Sequence, residues 1–192
     1  MSKQKGFTLL ELVIVIGILA VLGAVSVLVL NPAQLFAQAR DTTRIQDIGV
    51  LRNALGLYVS TASSPTMGVT ANCYVYNDGD TDLDALAANC GGRHSGGSTL
   101  VTSRAVDSNG WVPVNFASVP GGPALSVLPV DPTNNGTYFY SYANDNTTSK
   151  TFELDAKLES DRYTTGADNK EATDGGNKPA MYEVGTDNGL DL

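Results

Sequence analysis

Apolar residues are crowded at one end of the chain. Leu12 to Leu30 (LVIVIGILAVLGAVSVLVL) is nineteen residues without a charge, and Phe7 to Leu10 extends the run forward across Glu11. As a helix, the 24 residues from Phe7 to Leu30 span roughly 36 Å. That length crosses a bilayer core about 30 Å thick with some tilt. Lys3 and Lys5 precede the run and the next cation is Arg40, a bias that favours a cytoplasmic N-terminus and an exported remainder. A core helix and a secretory signal peptide are the competing readings. The first is strained by the length of the run. The second has an A-x-A step at Ala37-Gln38-Ala39, but this lies well past an apolar run already longer than the usual h-region of about 7–15 residues.

The pattern changes at Asn31-Pro32. Asn31 as N-cap and Pro32 at the first helical position predict a break and a restart. From Ala33 to about Ser60, Ile45, Ile48, Leu51, Leu55 and Tyr58 recur at spacings of three and four, an amphipathic stripe. Arg40, Asp41, Arg44, Asp47 and Arg52 are expected on its wet face. After Pro65 the period shortens. Asn72–Tyr76 reads as a strand, and Trp111–Phe116 as a weaker one because of Pro113. Thr137–Ala143 and Thr151–Leu158 read as a hairpin. In its second arm Phe152, Leu154, Ala156 and Leu158 alternate with Thr151, Glu153, Asp155 and Lys157, which predicts one buried and one wet face. Glu159–Leu192 is polar, with Met181–Val184 as a final strand. The expected fold class is α+β, a long N-terminal helix packed on a small antiparallel sheet. The expected organisation is a leader at 1–6, a membrane helix at 7–30, an amphipathic helix at 31–62 and a β head at 63–192.

Twelve Lys+Arg against 20 Asp+Glu, with a pI near 4.4, argue against nucleic acid as a partner. Cys73 and Cys90 are an even pair in a segment expected to be exported, which predicts a disulfide over free buried thiols. Asp78, Asp80, Asp82 and Asp84 alternate in NDGDTDLD, a spacing that suits Ca²⁺. However, Leu83 stands where an EF-hand loop needs glycine and Asn89 where it needs glutamate. A solvated acidic loop is the competing reading, and calcium is the single cofactor candidate. His94, in GGRHSGGS, reads as a surface residue. Nothing in the sequence supports catalysis: there is one histidine and no G-x-S-x-G. Tyr138, Tyr140 and Tyr142 form an aromatic row suited to core or subunit packing.

Gly6-Phe7-Thr8-Leu9-Leu10-Glu11, after a six-residue leader holding both lysines and before the long apolar run, resembles the N-terminal signal of type IV pilins and type II secretion pseudopilins. The resemblance implies cleavage between Gly6 and Phe7 by a prepilin peptidase, N-methylation of Phe7, and Glu11 as an assembly residue that meets the N-terminal ammonium of a neighbouring subunit. The implied partners are that peptidase, an assembly platform, the membrane and further copies of the chain in a helical polymer. The implied localisation is a single-pass inner- or cytoplasmic-membrane precursor and a mature cell-surface or periplasmic filament. Many type IV pilins carry a proline where this chain has Leu28; here the proline falls at Pro32. Asp47–Tyr58 (DIGVLRNALGLY) also resembles the long helix of major pseudopilins. The readings carried forward are a type IV pilus-like filament subunit, a secretion pseudopilin, and a monomeric membrane-anchored binding module.

Overall fold

The computed structural model describes residues 6–79, 81–84, 86, 89–147 and 149–192. Two helices run in series, α1 (Leu9–Leu30) and α2 (Pro32–Thr61). They meet at Asn31, whose left-handed backbone (φ 39°) ends one helix, while Pro32 with its fixed φ opens the next. The Asn31 carbonyl accepts from the N–H groups of Gln34 and Leu35. The break therefore lies at the step the sequence marks, and it rests on backbone contacts, with no side-chain cap from Asn31.

Five strands form one sheet: β1 (Asn72–Tyr76), β2 (Gly97–Val101), β3 (Tyr140–Asp145), β4 (Thr151–Ala156) and β5 (Tyr182–Gly185), in the order β2-β1-β3-β4-β5. The sheet is mixed, which corrects the antiparallel expectation, because β1 and β2 run parallel. Parallel neighbours need a crossover of a dozen or more residues, and here it spans residues 77–96. Among its described residues that segment carries short helical turns at Thr81–Asp84 and Asn89–Gly92, and Cys90 within it is bonded to Cys73. The short, glycine-flanked β2 was not legible as a strand. Trp111–Phe116 is not a strand either: Trp111, Val112, Val114 and Phe116 are fully buried on an irregular segment, consistent with Pro113 breaking a ladder. Glu159–Leu192 wraps on the head, with a helical turn at Asp161–Thr164 and then β5.

Both faces of the sheet are covered. On one, Ile48, Leu51, Leu55 and Tyr58 of α2 pack against Tyr74, Tyr142, Phe152, Leu154 and Ala156, with Trp111 and Phe116 closing the edge. Tyr140 and Tyr142 belong to this core. Tyr140 donates to Asp47 and Tyr142 to the Met67 carbonyl, so the row is packing rather than a stacking platform. The opposite face holds Cys73, Val75, Leu83, Leu86, Cys90, Phe139 and Ala143. Because this second layer exists, Glu153 and Asp155 are fully buried and His94 is only 4% exposed, against the expectation of a wet strand face and a surface histidine.

The bridge encloses that second layer, with a sequence separation of 17. Closing a loop of this size stabilises by about 3 kcal/mol in the chain-entropy view. The Cys73→Ala/Cys90→Ala double variant is expected to lose about that much, read from urea unfolding by the emission of the single, buried Trp111. Limited proteolysis should then cut first within residues 77–96.

Candidate functional site

Thr8 stands at the N-cap of α1 in an extended conformation. The Glu11 N–H donates to Thr8 Oγ1 at 3.2 Å, and the Thr8 N–H and hydroxyl both donate to Glu11 Oε2 at 2.9 Å. This is a capping box, and the Thr-x-x-Glu spacing is its sequence signature. The assembly role expected of Glu11 did not draw on this spacing, which identifies Glu11 as the partner of the Thr8 cap as well. Its carboxylate satisfies the first turn of its own helix and lies at the positive end of the helix dipole. Gly6 and Phe7 precede the cap outside the helix and are exposed. The three residues of the candidate signal therefore stand together at one free helix end.

Beyond the cap, the described side chains of α1 are exposed along its length: Leu9, Leu10, Ile14, Ile18 and Leu22 are all more than half exposed. A 22-residue apolar helix left uncovered requires lipid or other helices around it, because apolar surface in water is costly. Gly17 and Gly23 have open space where a Cβ would stand. Gly17 lies in a shallow groove lined by Ile14, Ile18, Val21 and Leu22.

The head is fastened to the stalk by a buried ion cluster that corrects the wet-face reading of α2. Ala37, Asp41, Arg44, Ile48, Leu51, Leu55 and Tyr58 are all buried at alternating steps of four and three, so Asp41 and Arg44 occupy the stripe itself. Arg44 makes four hydrogen bonds and one further ion contact. Nε and Nη2 reach Asp131 at 2.7 and 2.9 Å, Nη2 also reaches Thr133 at 3.0 Å, and Nη1 meets Asp41 at 2.9 Å and Glu159 at 2.6 Å. Tyr138 stacks over the guanidinium at 4.8 Å. Asp41 in turn accepts the Glu159 and Ser160 N–H groups and the Ser160 hydroxyl. Burial pulls Arg44 toward the neutral form, but Asp131, Glu159 and Asp41 outweigh it and hold the charge. Arg40 also pairs with Glu159.

The calcium candidates are only partly described. Asp80 lies outside the described residues, as does the side chain of Asp84. Asp78 accepts from Asn134 at 3.3 Å and Asp82 is exposed. Near the C-terminus, Asp187 accepts from the Thr151 hydroxyl and the Asp191 N–H.

Residues 1–27 match the family described as the prokaryotic N-terminal methylation motif, the signal of type IV pilin and pseudopilin precursors. No curated protein and no solved structure matches the chain. The chain thus carries the methylation signal on a long helix that leads into a five-stranded mixed sheet, a pilin-like α+β architecture.

Arg44→Met removes the charge and leaves Asp41 and Asp131 without a cationic partner and Glu159 with Arg40 alone, so it should cost about 3–5 kcal/mol, measured by urea unfolding of the full chain in detergent. Arg44→Lys should fall between the two, since one ammonium cannot reproduce the fork. Burial pushes the Glu159 carboxyl up, but hydrogen bonds from Arg40 and Arg44 dominate and hold it below its ordinary value of 4.5. A lowered folded pKa gives stability that is full above pH 4.5 and lost as pH falls through the folded value. Glu159→Gln should therefore weaken the head at pH 7, and its deficit relative to the parent should shrink in acid below that range, as read in paired melts across pH.

Proposed function

We propose that this chain is the structural subunit of a type IV pilus-like filament. It is made as a membrane-anchored precursor, cut between Gly6 and Phe7, methylated at Phe7, and polymerised through α1. The observation that carries the reading is an uncovered apolar helix that bears the methylation motif and has a capped acid, Glu11, in its first turn. Leaving the bilayer for a bundle of identical helices exchanges lipid contacts for helix contacts. The apolar surface therefore stays out of water throughout, and small residues such as Gly17 allow neighbours to approach closely.

Glu11 decides register in this scheme. A bare carboxylate in a low-dielectric bundle costs several kcal/mol, whereas a paired one costs much less. Thr8 already supplies two hydrogen bonds to it. The amine freed at Phe7 of an adjacent subunit supplies the opposite charge. The stalk continues outward along α2, where Leu35, Phe36, Val50 and Leu57 remain exposed on the side away from the head. These offer further contact to neighbouring stalks. The acidic head then lies on the outside of the filament.

The resemblance of Asp47–Tyr58 to the helix of major pseudopilins favours a second reading, a short pseudopilus that drives export. Shearing cells separates the two. Filaments of this subunit in the sheared fraction support the pilus, and their confinement to the envelope supports the pseudopilus.

The mature protein should begin at a methylated Phe7 in intact-mass analysis, and Glu11→Ala should be processed normally but yield at least tenfold less filament. An intact leader, or full assembly of the Glu11→Ala variant, would count against the filament and for a monomeric anchored module.

A further inference from the structure

Glu153 and Asp155 stand two apart on β4, so both project to the face away from α2. Loop residue His94 descends on the same face. One nitrogen of His94 and one oxygen from each acid lie within 4.8 Å of one another, and all three residues are buried. The closest pairs are His94 Nε2 to Asp155 Oδ2 at 3.4 Å and His94 Nδ1 to Glu153 Oε1 at 3.8 Å, neither with hydrogen-bond geometry. Both nitrogens of His94, both oxygens of Asp155 and Oε1 of Glu153 have no hydrogen-bond partner. Buried polar atoms are almost always paired, and five orphan atoms on three adjoining buried side chains mark a place built for something else.

We propose that His94, Glu153 and Asp155 form a binding site for a divalent transition metal of the zinc class. Zinc takes imidazole nitrogen and carboxylate oxygen together, often three protein ligands with a fourth position left to water. Ligand atoms around a tetrahedral zinc at about 2.1 Å stand roughly 3.4 Å apart, which is the spacing of the closest pair here. Calcium is disfavoured, since it takes six to eight oxygens. Charge agrees with this assignment: one divalent ion neutralises the two carboxylates.

The surroundings fit a second shell. Ser141, opposite Asp155 on β3, has a buried hydroxyl without a partner, and Glu183 lies opposite Asp155 on β5. Lys178 sits 3.8 Å from Glu153 and 3.7 Å from Glu183. A cavity of about 170 Å³, lined by His94, Asn144, Asp145, Asp191 and Leu192, lies beside the cluster. The chain end is already tied in, as the Leu192 N–H donates to Glu153 at 2.9 Å and its carbonyl accepts from Ser95. A metal here would clamp the His94 loop and the C-terminus onto β4. This site lies in the head and does not depend on the filament reading.

The test uses the full chain in detergent, stripped with EDTA and then given ZnCl₂. The expected results are one zinc per chain after desalting and a melting temperature raised by about 5–10 °C at a hundredfold excess over Kd. His94→Gln and Asp155→Asn should each bind at least tenfold more weakly, while Asp82→Asn in the acidic loop should bind like the parent. Co²⁺ in the parent should give the visible absorption of a tetrahedral site, a readout that does not depend on any variant folding. No retained zinc, equal retention by His94→Gln and Asp155→Asn, or a melting shift from CaCl₂ but not ZnCl₂ would each overturn the assignment. The cluster would then be a pair of acids sharing a proton.

Discussion

The head exists in one orientation on its stalk because of a single buried guanidinium. Arg44 alone is a heavy liability, as removing one charge from water costs several kcal/mol. It is tolerated because three carboxylates from three separate stretches of chain converge on it: Asp41 from α2, Asp131 from the segment before β3, and Glu159 from the segment after β4. Each of these would be an uncompensated buried or half-buried charge if the head shifted. The geometry is therefore specified more sharply than apolar contact between α2 and the sheet would specify it.

That constraint divides the molecule by chemistry. Above it lies a head with two covered sheet faces, one sealed by α2 and one by the bridged crossover between β1 and β2. Below it lies α1, whose described side chains are all exposed. The division suits a subunit whose stalk must exchange one apolar environment for another while the head keeps its fold. The Asn31 break sits at the junction, where the intervening backbone needs no side-chain contact to hold it.

The second sheet face has a price in desolvated acid. Antiparallel sheets commonly leave one face wet, and β4 has the alternation suited to that. Here the crossover, the His94 loop and the chain end cover it, so burial raises Glu153 and Asp155 above the usual carboxylate range, with mutual repulsion adding to the rise of Asp155. Burial likewise lifts Glu183 to about 7 despite the nearby Lys178. Groups held in so unfavourable a state are characteristic of functional sites.

Much of the molecule was legible in local pattern. The apolar run, the Asn31-Pro32 break, the stripe on α2, β1, and the hairpin of β3 and β4 all follow from periodicity and backbone restriction over a few residues. The methylation motif was legible as a resemblance to a known family, and the pairing of Cys73 with Cys90 from an even pair in a segment expected to be exported. The fates of Arg44, Asp41, Glu153, Asp155 and His94 were not legible. A charged residue on a stripe, or an acid on an alternating strand, reads as solvated until something distant covers it. Asp131 and Glu159 lie 87 and 115 residues beyond Arg44, and the cover over β4 comes from residues 77–96 and the chain end. Sequence determines which face of an element is apolar, because that is a property of neighbours along the chain. Only the tertiary structure decides whether the polar face meets water, because that depends on segments brought from far along the chain.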